Sequence, residues 1–383
     1  MRLAHISDTH LGFRQYNLEE REQDFYDAFA EAVERALEER VAAFIHAGDL
    51  FDTPQPPIRA LHVFKNCIRR IRDAGVRFYA VLGDHDTPKR RGMPPHTLFD
   101  IHILGTNGTL QHTILRESGE EVLLAGISNL KGRRVQNLNE ELRKFDRLAS
   151  GYENAVLVAH QAVKRFLPFE GAYELEDESL PKLATYYAFG HIHARTTLNF
   201  GRGLFAYAGS TEITSRDEIP VWEERGKGFF IVDVERGGVD VHSINLDIRP
   251  QVNVNVRADA LEEVLKVLAA HRKKPVLHVL VETERENKTF IVERLKKLVS
   301  GKVLYLRPLF VTKNVQERVI KVKESDKEDM IKQFLSTLLK DETLVQLSME
   351  LYMRLSENDI NAALAEADES FKSMLSRKQL INP

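Results

Sequence analysis

Residues 3–12 read LAHISDTHLG, an apolar stretch that ends in a carboxylate and an imidazole two positions apart. The apolar part, residues 3–6, predicts a buried strand. Asp8 and His10 follow at the point where the chain would leave the sheet. Side chains two residues apart near a strand end project to the same side, so both members of this pair, and likewise of the later pair His191 and His193, can face one ion. The segment therefore predicts a strand whose end carries a pair of metal ligands.

Four more motifs of this kind stand along the chain, each just after an apolar strand. They are Gly48-Asp49, Gly83-Asp84-His85-Asp86, His160-Gln161 and Gly190-His191-Ile192-His193. The glycines at 48, 83 and 190 are expected to allow sharp turns that bring the next side chain into the site. In α/β folds ligand sites form at the C-terminal edge of the strands. Carboxylate and imidazole without thiolate suit Mn²⁺, Fe²⁺, Zn²⁺ or Mg²⁺, so the five motifs together predict a metal site.

The segments around these motifs predict the fold class, which is α/β. Apolar residues at a 3.6-residue period predict helices at 24–39 and 61–74, and each helix is followed by a predicted strand, at 42–46 and at 77–82. This β-α-β alternation indicates buried, mostly parallel strands. Later strands, at 121–125, 155–159, 186–189 and 228–234, indicate a second sheet packed on the first. We therefore expect a two-sheet α/β sandwich over residues 1–245.

After residue 245 the pattern starts again and predicts further units. Strands at 252–256, 276–282 and 303–306 alternate with helices at 260–270 and 290–299, which predicts a small β-α-β-α-β domain over 246–312. A charged stretch over 313–326 is typical of a linker. Residues 327–383 predict a helical segment whose apolar stripes include Phe334, Leu338 and Leu344.

Composition limits the class of protein. Of 383 residues, 43% are apolar and 29% are charged, the profile of a soluble globular protein. The single cysteine, Cys67, excludes a disulfide framework and fits a reducing compartment. No signal peptide and no apolar run of membrane-spanning length is found, so we expect a cytoplasmic protein that does not bind membranes. The net charge of −3 means that any DNA binding comes from local basic patches at 89–91, 131–134 and 272–274.

The order of the five motifs resembles the signature of the calcineurin-like metallophosphoesterases. Three motifs resemble more closely the DNA double-strand-break repair nucleases of the meiotic-recombination-eleven family (SbcD-type in bacteria), in an archaeal form. The motifs that carry this resemblance are Asp8-Thr9-His10-Leu11-Gly12, Gly48-Asp49-Leu50-Phe51 and Gly190-His191-Ile192-His193. The match continues through YAGS at 207–210 and KGFFIV at 227–232. The unit at 246–312 is similar in kind to that family's DNA-capping domain, and residues 327–383 to its ATPase-binding helices in position and amphipathic character only.

The resemblance implies a role for each motif residue. It assigns two divalent cations, Mn²⁺ above all, to two sets of ligands bridged by one carboxylate. The first set is Asp8, His10 and His193; the second is Asp84, His160 and His191; the bridge is Asp49. His85 would be the general acid that protonates the leaving 3′ oxygen, and Asp86 would orient it. Two positions depart from the family pattern: Asp84 stands where most members carry Asn, and Asp52 stands where some relatives carry a histidine.

The function implied is that of a Mn²⁺-dependent phosphodiesterase, the nuclease subunit of a double-strand-break repair complex. The family's activities are 3′-to-5′ exonuclease on double-stranded DNA and endonuclease on single-stranded DNA. Its partners are an SMC-like coiled-coil ATPase, bound by the C-terminal helices, and a second copy of the chain. For the homodimer the sequence offers an apolar candidate at Leu98, Phe99 and Ile101, which a core helix would explain equally well. Two alternatives remain: a metallophosphatase or phosphodiesterase acting on small or protein substrates, and a non-enzymatic DNA-end scaffold.

Overall fold

The computed structural model describes the chain except for residues 89–91, 118, 168–171, 237, 269–270, 284–287, 312–330, 333–334, 337–338, 340, 357–363, 365, 369 and 371–383.

The first sheet contains the strand that begins the chain. Its strands are β1 (Arg2–Ile6), β2 (Ala43–His46), β3 (Arg77–Ala80), β4 (His102–Ile103), β11 (Gly228–Glu235) and β12 (Gly238–Asn245). They lie in the order β12-β11-β1-β2-β3-β4, and β1 to β4 are parallel neighbours. The prediction that 228–234 belongs to the second sheet is wrong: β11 pairs antiparallel with β1. Local periodicity gives a strand but not its partner, which explains this error.

The second sheet has a parallel centre and antiparallel edges. Its strands are β5 (Gln111–Glu117), β6 (Glu120–Ile127), β7 (Asn154–His160), β8 (Tyr186–Gly190), β9 (Thr196–Phe200) and β10 (Gly203–Tyr207). The order is β5-β6-β7-β8-β10-β9, with β6, β7, β8 and β10 parallel. The predicted strands at 121–125, 155–159 and 186–189 are present, whereas β5, β9 and β10 were not predicted.

Helices cover the outer faces of the two sheets. They are α1 (Glu19–Glu38), α2 (Ile58–Asp73), α3 (Val135–Ala149) and α4 (Ile219–Arg225). Strand β2 shows how alternation divides the core: Phe44 packs with Phe29 and Phe64 under the helices, whereas Ile45 packs with Val156 between the sheets. Burying a side chain of this size stabilises the fold by about 1.5–3 kcal/mol. The predicted α/β sandwich is therefore confirmed.

Helix α1 illustrates why these segments are helical. Apolar side chains at Phe25, Phe29 and Val33 form one buried face at the helical period. Acidic residues fill the first turn, where the helix dipole stabilises negative charge. The chain leaves the helix through Arg40, whose φ of 55° lies in the left-handed region.

A third sheet follows, and it has the predicted β-α-β-α-β order. Its elements are β13 (Gln251–Arg257), α5 (Val264–Leu268), β14 (Val276–Glu282), α6 (Lys288–Val299) and β15 (Tyr305–Val311). The three strands are parallel and bury a core of their own. Polar contacts join this sheet to α1 and to the loop before it: Gln251 donates to Gln15 at 2.8 Å, and Arg249 forms a two-pronged ion pair with Asp24. Residues Met1–Thr312 form one compact unit.

Residues Lys313–Pro383 form a second unit. Its described helix, α7 (Glu342–Ser356), buries Val345 and leaves Tyr352 exposed. Phe334 and Leu338 lie outside the described residues. No helix in the described part of the chain is long and apolar enough to cross a membrane.

Candidate metal centre

The predicted ligands lie where five parallel strands end. Asp8 and His10 follow β1, Asp49 follows β2 and Asp84 follows β3 in the first sheet; His160 ends β7, and His191 and His193 follow β8 in the second. Strands β1, β2 and β3 are adjacent, as are β7 and β8, and all run in the sense that brings their carboxyl ends to one edge of the sandwich. This edge is where α/β folds form their ligand sites.

Several of these ligands depart from strand geometry. The φ angles of Asp8, His10, Asp49 and His191 are 50°, 43°, 54° and 91°, in the left-handed region that non-glycine residues rarely adopt. Each such residue costs about 1–3 kcal/mol, and such strain clusters at functional sites. Asp8 and His10 do join one group, but strand alternation is not the reason, because their backbone is left-handed. The expectation is wrong for His191 and His193, which join different groups.

The three glycines serve the site in two different ways. Gly48 has a φ of 94°, so it allows the sharp turn that was predicted. Gly83 and Gly190 do not have positive φ angles. Instead, a side chain at Gly83 would collide with the carboxylate of Asp49, and one at Gly190 with the carbonyl oxygen of Ala47. At these two positions glycine is required for close approach of backbone to neighbouring groups.

Asp8, His10 and His193 form the first group. Nε2 of His10 lies 3.3 Å from Nε2 of His193, which lies 3.7 Å from Oδ1 of Asp8. Two ring nitrogens and a carboxylate oxygen thus converge on one point, as one cation requires.

Asp84, His160 and His191 form the second group. Oδ1 of Asp84 lies 3.3 Å from Nε2 of His160 and 3.1 Å from Nδ1 of His191. All three ligand atoms face each other, so this group too can hold one cation.

Asp49 lies between the two groups. Its Oδ2 is 3.2 Å from Nε2 of His160 and 3.9 Å from Nε2 of His10. Its Oδ1 accepts the backbone N–H of His85 at 2.9 Å, which fixes the carboxylate. One oxygen is therefore shared by both groups, the position that a bridging ligand takes.

His160 provides a test of whether a cation fits. Its Nδ1 lies 2.7 Å from the carbonyl oxygen of Ala47, and since a carbonyl only accepts, Nδ1 carries the ring proton. The Nε2 lone pair is then left facing the carboxylates of Asp49 and Asp84 in a fully buried position. Although burial opposes it, these carboxylates raise the pKa of His160 well above its usual value, so Nε2 binds either a second proton or a metal cation. The donor set of the group therefore fits a divalent metal.

The pKa shifts show that, without metal, the imidazoles and carboxylates of the site stabilise each other as cations and anions. Burial lowers the pKa of His10, but Asp52, Asp49 and Asp8 outweigh it and raise the pKa to about 9. Burial raises the pKa of Asp49, but His160 and His10 outweigh it, so the net shift is downward. The metal-free site therefore holds protons where cations would bind.

Behind His193 lies a polar cluster that no sequence motif indicated. Oε1 of Glu218 lies 2.9 Å from Nδ1 of His193, and Oγ1 of Thr214 lies 3.0 Å from the same nitrogen. Lys227, almost fully buried, donates to Oε2 of Glu218 at 2.5 Å and to Ser210 at 2.6 Å. This arrangement keeps the proton on Nδ1 and directs Nε2 toward the first group. The signals in the sequence were the KGFFIV match, which begins at Lys227, and the YAGS match, which ends at Ser210.

His85 and Asp86 occupy different surroundings. The ring of His85 is half exposed, and its Nδ1 lies 2.8 Å from the backbone carbonyl of Asp52. Asp86 is buried, and its carboxylate accepts the backbone N–H groups of Leu50, Phe51 and Gly83. The orienting contact on His85 thus comes from the Asp52 carbonyl. Asp86 ties together the loops that carry Asp49 and Asp84.

Comparison with known proteins identifies the family. The calcineurin-like phosphoesterase family model matches residues 1–195. The chain is 35% identical to the DNA double-strand break repair protein Mre11 of Thermoplasma acidophilum, over 95% of this chain and 96% of the relative. The chain belongs to the Mre11 family. The Saccharolobus solfataricus Mre11 is 32% identical over the full length of both proteins.

Family membership confirms the resemblance found in the sequence. This Mre11-family chain is a phosphodiester hydrolase of the calcineurin-like class, and its fold takes two divalent metals. A putative 5′-nucleotidase from Staphylococcus aureus has a solved structure that matches 64% of this chain and 53% of its own, with a TM-score of 0.41 and 13% identity.

Proposed function

We propose that this chain is the nuclease subunit of a DNA double-strand-break repair complex. It would act as a 3′-to-5′ exonuclease on double-stranded DNA and as an endonuclease on single-stranded DNA, with two Mn²⁺ ions. The observation that carries the proposal is the pair of three-ligand groups with Asp49 between them. The support for DNA as substrate is the family, whose relatives are named for DNA double-strand break repair.

We propose that Asp8, His10 and His193 hold one cation, that Asp84, His160 and His191 hold the other, and that Asp49 contacts both. Such a pair of ions lowers the pKa of bound water and stabilises both the attacking and the departing oxygens of a phosphodiester. The left-handed backbone of Asp8 and Asp49, together with the Asp86 carboxylate that joins the Asp49 loop to the Asp84 loop, holds the ligands in place in the metal-free chain.

His85 is proposed as the general acid. Because its Nδ1 donates to the carbonyl of Asp52, the second proton of the imidazolium lies on Nε2, which is free to protonate a leaving oxygen. Its ring lies edge-on to that of His10, with centroids 4.8 Å apart, so it stands beside the first group. Asp86 supports this role indirectly, since it holds the loop from which His85 projects.

The function is tested by degradation of a labelled DNA duplex with and without Mn²⁺, with p-nitrophenyl phosphate as the competing substrate. We expect loss of the duplex only with the metal. His85→Gln should retain DNA binding and both ions yet lose about 10²–10⁴-fold in cleavage rate, the usual contribution of a general acid. The exposed His112→Gln is the matched control. Turnover of the small phosphate ester without any cleavage of DNA would overturn the proposal in favour of a phosphatase.

A homodimer is proposed through the surface around Leu98, and Ile58 is a second exposed apolar side chain of the same unit. Leu98 is 70% exposed and Ile58 is 85% exposed. Of the other two residues in the predicted patch, Phe99 stacks edge-on against Phe64 at 4.7 Å and Ile101 packs on the core, so both face inward. Leu98→Glu should convert a dimer to a monomer in analytical ultracentrifugation while Mn²⁺ binding persists. A dimer that survives this change would exclude the surface.

Binding of an SMC-like coiled-coil ATPase is proposed for residues 327–383. Support in the described part of this segment comes from α7, whose Tyr352 is 46% exposed. A chain ending near residue 324 should keep Mn²⁺-dependent cleavage and lose capture of the ATPase. Undiminished capture by the shortened chain would contradict this proposal.

A further inference from the structure

Lys131 contacts one of the proposed metal ligands from the rim of the site. Its Nζ lies 3.1 Å from Oδ2 of Asp84. The other oxygen of that carboxylate, Oδ1, is the one that faces His160 and His191. The two carboxylate oxygens of Asp84 therefore have different partners: Oδ1 faces the second group, and Oδ2 pairs with Lys131.

A second carboxylate holds Lys131 in this place. Oε1 of Glu174 lies 3.8 Å from Nζ of Lys131, and Oε2 of Glu174 accepts the backbone N–H of Ala162 at 2.8 Å. Ala162 follows His160 by two residues. The lysine thus lies between the loops that supply two ligands of the second group.

A lysine lies near each group, but in a different relation to the ligands: Lys227 pairs with Glu218, which is not a proposed ligand, whereas Lys131 pairs with Asp84, which is one. Both histidines of the first group have a carboxylate near the outer ring nitrogen: Oδ1 of Asp52 is 3.4 Å from Nδ1 of His10, and Oε1 of Glu218 is 2.9 Å from Nδ1 of His193. In the second group, His160 donates to a neutral backbone carbonyl, and the charged neighbour of Asp84 is a cation. A positive charge this close to a cation site opposes occupancy.

We infer that Lys131 is a positioning residue of the second cation position and that it acts through Asp84. By holding Oδ2, it limits Asp84 to one ligand oxygen and offsets the negative charge that this carboxylate adds. It thereby lowers the affinity of that position for its ion and keeps the ion's positive charge available to the phosphate. The inference rests on the proposed two-cation site and assigns it a further determinant of metal affinity.

The test is calorimetric titration of Mn²⁺ into the metal-free full chain, in the wild type, Lys131→Met, Asp84→Asn and the double variant. The wild-type curve should show two ions, and one ion or none would overturn the proposed function itself. The binding step that Asp84→Asn weakens identifies the second position. Lys131→Met should tighten that step by roughly tenfold, the size of effect that one nearby charge has on a titrating group.

Comparing the effect of Lys131→Met with and without Asp84→Asn shows whether the lysine acts through Asp84 or directly on the ion. In the Asp84→Asn background, Lys131→Met should have a much smaller effect, because the amide offers no charge for the lysine to hold. Lys131→Arg should keep the wild-type affinity, and Lys144→Met on the exposed face of α3 is the matched control. An equal effect in both backgrounds, no effect, or weaker Mn²⁺ binding in Lys131→Met would each overturn the inference.

Discussion

Glu218→Gln is expected to weaken one of the two metal sites without disturbing the other. The carboxylate lies 2.9 Å from Nδ1 of His193 and is only 13% exposed, so solvent screens it little. A hydrogen bond to a charged group contributes about 1.5–3 kcal/mol. Loss of the partner behind a ligating histidine typically lowers metal affinity about 10–100-fold, or roughly 1.4–2.8 kcal/mol. The two estimates agree, so we expect a loss in this range at the first group.

The assay is calorimetric titration of Mn²⁺ into the EDTA-treated variant, which should show one binding step weakened and the other unchanged. Because Glu218 also pairs with the buried Lys227, the melting temperature of the metal-free variant must be measured separately. Glu224→Gln, at an exposed glutamate on helix α4, which directly follows Glu218, is the matched control. Two steps with wild-type affinity would refute the argument that Glu218 orients His193.

Three further predictions follow from the same structure. The pKa of His10 is raised to about 9, so protonation of His10 stabilises the metal-free fold. This stabilisation is complete below pH 6.5 and is lost as the pH rises through 9. The melting temperature of the metal-free chain should therefore fall between pH 6.5 and 9, and His10→Asn should flatten that slope. Gly83→Ala should displace the Asp49 carboxylate and abolish binding of two Mn²⁺. Gly238→Ala, whose added methyl group would contact no neighbouring atom, should bind two Mn²⁺ as the wild type does. Wild-type Mn²⁺ binding by Gly83→Ala in calorimetric titration would contradict this prediction. Burial raises the pKa of the Cys67 thiol to about 11, so iodoacetamide at pH 8 should label it only after unfolding, as mass spectrometry would show; rapid labelling of the native chain would refute its burial.

Much of the fold was predictable because it depends on local periodicity. The 3.6-residue spacing in 24–39 predicted most of α1, and apolar runs before each motif predicted the strands β1, β2, β3, β7 and β8. The motifs follow those strands, so their meeting at one edge could be expected from the geometry of parallel sheets alone. What the motifs did not contain was the assignment of ligands to two groups, which came from the resemblance to a family.

The sequence by itself thus determined the strands that lead to the five motifs, the helices α1 and α2, and the motif residues that meet at one edge of the sandwich. Tertiary structure alone decided that β11 lies beside β1, that Glu218 and Lys227 lie behind His193, that Asp86 ties two loops rather than contacting His85, and that Lys131 holds one oxygen of Asp84. The reason is physical. Periodicity arises between residues a few positions apart. The contacts of β11 with β1, of Glu218 and Lys227 with His193, of Asp86 with Leu50 and of Lys131 with Asp84 join residues 25 to more than 200 positions apart, and only the folded arrangement of strands and loops brings them together.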